Sequence, residues 1–154
     1  MSKASTNMHA SNYYILPVPK EALQKIDRNS SPTHVANLKN AIDLIVPINT
    51  PVLAAADGTV TFVRDDSNIG GPFPAYIGFT NFIVIKHAQN EFTRYDHLSH
   101  RSSKVSLGQQ VRTGDQIANV GMTGYSFIPH LHFQAFVFTG SNIWTDFDTL
   151  EVQF

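Results

Sequence analysis

Seven histidines, at positions 9, 34, 87, 97, 100, 130 and 132, carry most of the chemical potential of this chain, and no cysteine accompanies them. Without thiolates there is neither a disulfide framework nor a cysteine-based metal site, so a transition metal would have to be held by imidazole and carboxylate. His130 and His132 are the most informative pair. In a strand, residues two apart share a face and stand about 7 Å apart. The segment PHLHF (129–133) would therefore aim two imidazoles at one spot while Leu131 and Phe133 bury on the other face. An isolated His-x-His is explained at least as well by chance. It gains weight from YDHLSH (95–100), which ends another apolar run with a histidine, and from the Thr123-Gly124-Tyr125 turn leading to Pro129. Asp43 adds a fourth piece, as the single acid of AIDLIVP (41–47). A carboxylate there is costly unless paired, hydrogen-bonded or bound to a cation. The plainer reading makes it a solvent-facing position of an alternating strand.

These side chains need a scaffold, and the sequence supplies short runs rich in β-branched and aromatic residues. AIDLIV (41–46), TVTFVR (59–64), NFIVIKH (81–87), EFTRYDHL (91–98), QIANV (116–120) and LHFQAFVFT (131–139) all read as strands. Asp57-Gly58, Gln89-Asn90 and Thr113-Gly114-Asp115 supply turns between them. The fold class expected is all-β, mainly antiparallel sheets, with at most a short N-terminal helix opened by Pro19 and carrying Leu23 and Ile26. The long connection DDSNIGGPFPAYIGFT (65–80) is expected to hold no regular element and to serve as a functional rim.

At 154 residues the chain suits one domain, read as 13–154 after a polar, loosely ordered stretch at 1–12. Hydrophobic residues at 42% against 15% charged residues belong to a folded protein. Eleven basic and twelve acidic residues, scattered, argue against a nucleic-acid partner. No apolar run reaches the ~20 residues of a membrane span, and the start does not look like a signal peptide. Compartment and oligomeric state stay open.

The motifs together resemble the lysostaphin/LytM family of zinc metallopeptidases, which share a duplicated hybrid motif fold. AIDLIVPINTPVLAAADGTV, RYDHLS, VSLGQQVRTGDQIANVGMTG and PHLHF occur in the family's order, between about His34 and Phe138. The resemblance implies Asp43 and His132 as Zn2+ ligands, with His97 and His130 lining the site. The remaining ligand commonly stands four residues before the Asp, and here that position is Lys39. Two readings follow. In the favoured one the ligand is His34, as in a branch of the family with a short insert before the Asp and a DSN-GGP-P loop, which DDSNIGGPFP matches. In the other, Lys39 marks a lost ligand and the domain is a catalytically inactive module that binds or activates a partner hydrolase. Ile128, Gln134 and Ala41 are milder departures, standing where Gly, Glu and Gly are frequent.

Two imidazoles and one carboxylate would leave a fourth zinc position open, the arrangement of a catalytic site. No His-Glu-x-x-His motif exists, and the three glutamates, at 21, 91 and 151, lie away from the motifs. Histidine is the natural replacement for the missing base. His97 and His130 are therefore the expected catalytic pair, one as general base, the other stabilising the oxyanion or protonating the leaving amine. The resemblance implies peptide-bond hydrolysis in peptidoglycan cross-links or stem peptides, in a groove walled by the loop at Gly70-Gly71 and by residues 125–129. Tyr95 and Asn81 are read as rim contacts, His87 as structural, and His100 and His9 as loop residues. A lipoyl- or biotinyl-type carrier domain, suggested by GQQVRTGDQIANVG, lacks a lysine in a hairpin turn.

Overall fold

The computed structural model describes residues 8–28 and 38–154. The strands in chain order are β1 (Lys25–Asp27), β2 (Ile42–Ile45), β3 (Pro51–Leu53), β4 (Gly58–Arg64), β5 (Gly70–Gly71), β6 (Phe82–Lys86), β7 (Phe92–Asp96), β8 (Gln110–Val111), β9 (Gln116–Asn119), β10 (Gly124–Tyr125), β11 (His130–Phe138) and β12 (Phe147–Leu150). The main sheet runs β1-β2-β11-β7-β6-β4-β8, with β12 also paired to β11. Every pairing in it is antiparallel. The expected all-β architecture is what forms.

Alternation decides which side of the sheet is core. On β11, Leu131, Phe133 and Ala135 point to one face and are essentially fully buried, with Ile42 and Leu44 of β2 and Tyr95 of β7 beside them. They pack with Val52, Ile117 and Ala118 of the small antiparallel β3–β9 sheet. Each of the Leu, Ile, Val and Phe side chains among them contributes about 1.5–3 kcal/mol by leaving water. The opposite face carries His130, His132 and Gln134, then a smaller aromatic cluster around Phe82, Val84 and Phe136. This face is the floor of the site.

Three local expectations are modified. The helix at Pro19 is a single 3-10 turn, Lys20–Ala22, after which the chain extends into β1. The connection 65–80 does hold regular structure: β5, paired in parallel with β10, and a 3-10 helix at Pro74–Phe79. Tyr95 is a core residue, fully buried, with its hydroxyl accepting the Ala55 N–H at 3.0 Å. The Gln89-Asn90 hairpin turn is present, both residues with positive φ (63° and 54°), which the tight β6–β7 connection requires. Among the described residues no helix is long and apolar enough to cross a bilayer.

Residues 11–14 are tied to the sheet by the Glu91 carboxylate, which accepts from Ser11 N (2.7 Å), Asn12 N (3.2 Å) and the Tyr14 hydroxyl (2.9 Å). His87 has the structural role expected of it. Its Nδ1 lies 2.7 Å from the Asp57 carbonyl and its Nε2 lies 2.7 Å from Thr93 Oγ1. Burial holds His87 below its ordinary value, against the Asp57 carbonyl and the nearby Glu91 and Asp57 charges. A folded pKa below the unfolded one means that stability is present above about pH 6.5 and is lost as pH falls through the depressed folded value. Replacing His87 by Gln is expected to flatten the loss of stability between about pH 7.5 and about pH 5.5. Urea unfolding of both proteins across that range tests this, and equal slopes would refute it.

Candidate metal centre

Strand register assembles the centre. Antiparallel pairing sets His132 of β11 opposite Asp43 of β2 on one side and opposite Asp96 of β7 on the other. Directly opposed residues share a face, so three polar side chains stand abreast across three neighbouring strands. His130 lies one pair further along the same face, opposite Ile45. Asp43, Asp96, His130 and His132 are each exposed by less than a tenth.

The distances give these groups distinct parts. His132 Nδ1 lies 3.3 Å from Asp43 Oδ1, and His130 Nε2 lies 3.7 Å from the same oxygen. Two ligands held at about 2.0–2.2 Å by a tetrahedral cation stand about 3.3–3.6 Å apart. The Asp43–His132 pair therefore fits zinc in both donor type and separation. The local field also favours positive charge. Burial works against a charged His132, but Asp43 and Asp96 outweigh it and raise its pKa above the ordinary value.

Asp96, although abreast of the pair, is engaged elsewhere. Arg94 Nε donates to its Oδ1 at 2.6 Å, and the same guanidinium sits 3.7 Å above the Phe82 ring. Burial opposes ionisation of Asp96, yet Arg94 and the neighbouring histidines hold its carboxyl below the usual range. Among the described residues no three His, Asp or Glu side chains close on one point. His34, the expected third ligand, lies outside the described residues, while Lys39 lies exposed in the turn before β2.

His97 and His130 stand beside the pair with ring centroids 4.7 Å apart. Each is oriented by a backbone carbonyl: His97 Nδ1 is 2.7 Å from Thr123 O, and His130 Nδ1 is 2.7 Å from Ile128 O. A carbonyl only accepts, so both rings carry hydrogen on Nδ1, and in the neutral form of each Nε2 is the lone-pair nitrogen. Burial, followed by the proximity of His130, depresses the His97 pKa to about 4, overcoming the opposing pull of Asp96. His97 is therefore neutral near physiological pH. Its backbone has φ 68°, a left-handed conformation uncommon for a non-glycine residue, and its N–H donates to Thr80 Oγ1 at 3.2 Å.

Asn81 is not a rim contact. Fully buried, it donates to the Ser67 and Leu98 carbonyls, accepts from Ser67 N, and its own N–H donates to Thr123 Oγ1. It knits together the loops that carry His97 and Thr123. Gly124 lets these loops close: it has φ +82°, and a Cβ there would lie 2.6 Å from Thr80 Cβ.

A cleft of about 310 Å³ opens over His97, His132 and Asp96. The segments expected to form two walls pair with each other through β5 and β10 and so make one, presenting Ile77, Thr80 and Tyr125. Trp144 and Phe147 line the cleft from the connection and strand that follow β11. Sequence reasoning missed them, along with Arg94, Thr80 and the orienting carbonyls; among these, only the exposed Trp144, the single tryptophan, offered a signal.

Comparison with known proteins agrees with this arrangement. The chain is 37% identical over 98 residues to the peptidoglycan DD-endopeptidase ShyA of Vibrio cholerae, covering 64% of this chain and 20% of that protein. It thus spans about one fifth of that relative's length. Its fold is similar to a zinc-containing peptidase from Vibrio cholerae, with a TM-score of 0.58 and 31% identity over 80% of this chain and 36% of the other. It is also similar to the catalytic domain of lysostaphin from Staphylococcus simulans, with a TM-score of 0.55 and 28% identity over 77% and 84% of the two chains. Residues 37–143, well over half of the 154, match the description Peptidase family M23, and with the ordered motifs and the Asp43–His132 geometry in place the chain belongs to that family.

Proposed function

We propose that this domain is a zinc-dependent endopeptidase that hydrolyses peptide bonds in cell-wall peptidoglycan. The observation that carries the reading is the 3.3 Å approach of His132 Nδ1 to Asp43 Oδ1, flanked by two histidines whose Nδ1 atoms are each fixed by a backbone carbonyl. His34, Asp43 and His132 would hold the metal. The similarity to ShyA, a peptidoglycan DD-endopeptidase, supports the substrate class. When bound, zinc supplies Lewis acidity that polarises a carbonyl and makes water a better nucleophile near neutral pH.

The chain's own residues do the rest. His97 and His130 are candidates to accept the proton from the attacking water and to return one to the leaving amine, since each is fixed with Nε2 as its lone-pair nitrogen. The imidazolium formed by the first transfer is the donor for the second. Asp96 lies beside His97 and His132 and favours such a positive charge while Arg94 keeps it ionised. Ile77, Tyr125 and Trp144 line the cleft with apolar surface for an extended peptide.

The first test is metal analysis of the purified protein and of a His34→Ala variant. Wild type is expected to retain one zinc per chain and the variant to lose it. Unchanged occupancy in the variant would remove His34 from the ligand set, and a wild type without zinc would favour the inactive-module reading. A second measurement follows soluble fragments released from purified peptidoglycan by mass spectrometry. His97→Ala and His130→Ala are each expected to lower kcat by about 10²–10⁴-fold while zinc content is retained. Full activity in both variants would overturn their assignment.

A further inference from the structure

A second cavity, of about 190 Å³, lies beside the cleft on the same face of the sheet. Phe62, Phe92, Phe136, Phe138, Ile143 and Trp144 make most of its wall, and among the described residues Arg94 is the only charged one that lines it. Arg94 and Trp144 line both spaces, so the cavity continues the cleft. Trp144 is 58% exposed and meets the stacked Phe62 and Phe82 rings at steep angles, each centroid 6.0 Å away. Arg94 uses only part of its hydrogen-bonding capacity. Its Nε donates to Asp96 Oδ1, and its Cζ lies over the Phe82 ring, but among the described residues neither Nη nitrogen donates to a protein group. The side chain is 21% exposed, so that edge is within reach of a ligand.

We infer that this junction is a specificity subsite of the peptide cleft: Arg94 takes a free carboxylate of the substrate on its Nη edge, and the hydrocarbon part of the same substrate residue lies against Trp144 in the aromatic cavity. The inference rests on the peptidase reading above and adds what the cleft selects. The two Nη nitrogens form a planar fork that matches the two oxygens of a carboxylate. Asp96 and the Phe82 ring fix the guanidinium plane from the Nε side and from one face, so little is lost in ordering it when a ligand arrives. The anions of a peptide are carboxylates, terminal or side-chain. An amide in that place loses the charge and sets an NH₂ group, a donor, against another donor. The single cation beside an otherwise apolar wall therefore selects an anionic residue with a hydrocarbon stem.

The test offers the zinc-loaded protein soluble peptide-bearing fragments of purified peptidoglycan, either untreated or with their carboxylates converted to amides by carbodiimide and ammonia. Wild type is expected to cleave the untreated pool with a kcat/KM about 10–100-fold above that for the amidated pool. Arg94→Gln, which keeps a donor for Asp96, is expected to treat the two pools alike. An Arg94 that acted only by holding Asp96 would slow both pools by one factor and leave their ratio intact. That result would overturn the inference, as would equal rates in wild type. Trp144→Ala is expected to raise KM for the untreated pool about 10-fold, more than it lowers kcat, and an unchanged KM would overturn the apolar half of the subsite. Masses of the partly amidated fragments that resist cleavage identify the carboxylate as terminal or side-chain. If the Gln variant does not fold, the wild-type ratio and Trp144→Ala still decide. A wild type that cleaved neither pool would overturn the proposed function separately, and binding would then decide the subsite. Quenching of the fluorescence of Trp144, the single tryptophan, by untreated but not amidated fragments would support it, and equal quenching would overturn it.

Discussion

The registers of β2, β11 and β7 are the constraint on which the site depends. His132 meets Asp43 and Asp96 because three antiparallel strands pair at one level. A slip of one residue would send His130 and His132 into the core and bring Leu131 and Phe133 out into the cleft. The buried face opposes that slip, since Leu131, Phe133, Ile42, Leu44 and Tyr95 are fully covered on the other side of the same strands. The hydrophobic effect thus sets the geometry of the candidate centre indirectly, by making any other register expose large apolar side chains.

Within that frame, hydrogen-bond acceptors decide what each histidine presents. Carbonyls of Thr123 and Ile128 fix His97 and His130 through Nδ1, whereas His132 is held from both sides, by Asp43 at Nδ1 and by Gln134 Oε1 at Nε2. The rings are chemically alike, yet in two of them Nδ1 faces a carbonyl and in the third it faces a carboxylate. The orienting carbonyls belong to the loops around Gly124 and Pro129, so loop closure against Thr80 and Asn81 is part of the chemistry. Because Ile128 acts through its carbonyl, its side chain is free to differ, and it is half exposed.

Much of this was legible in the sequence, for identifiable reasons. Period-two alternation in PHLHFQAF announced both the strand and its buried face, and an acid inside AIDLIVP announced a partner for it. The Gln89-Asn90 turn had its own chemistry. Less local features were hidden. Tyr95 and Asn81 are polar residues in strand-like runs, and nothing local distinguishes a rim position from a buried one whose hydrogen bonds are all made by distant segments. The 3-10 helix at 74–79 was obscured by two prolines and a glycine, residues that argue against an α-helix but fit its tighter relative. Trp144 enters the cleft because β12 pairs with β11, a long-range contact.

Arg94 shows how the floor tolerates two carboxylates side by side. With Asp43 and Asp96 both flanking His132, an unrestrained Asp96 would compete with Asp43 for whatever cation the site holds. The guanidinium prevents this by taking Asp96 Oδ1 at 2.6 Å, and it is itself held on the Phe82 ring. That ring is stacked on Phe62 and belongs to the aromatic cluster on the site face. A chain of contacts therefore runs from aromatic packing to Arg94, from Arg94 to Asp96, and from Asp96 to the field around His132 and His97. The aromatic cluster stabilises the sheet and also holds the guanidinium that keeps the second acid ionised and paired.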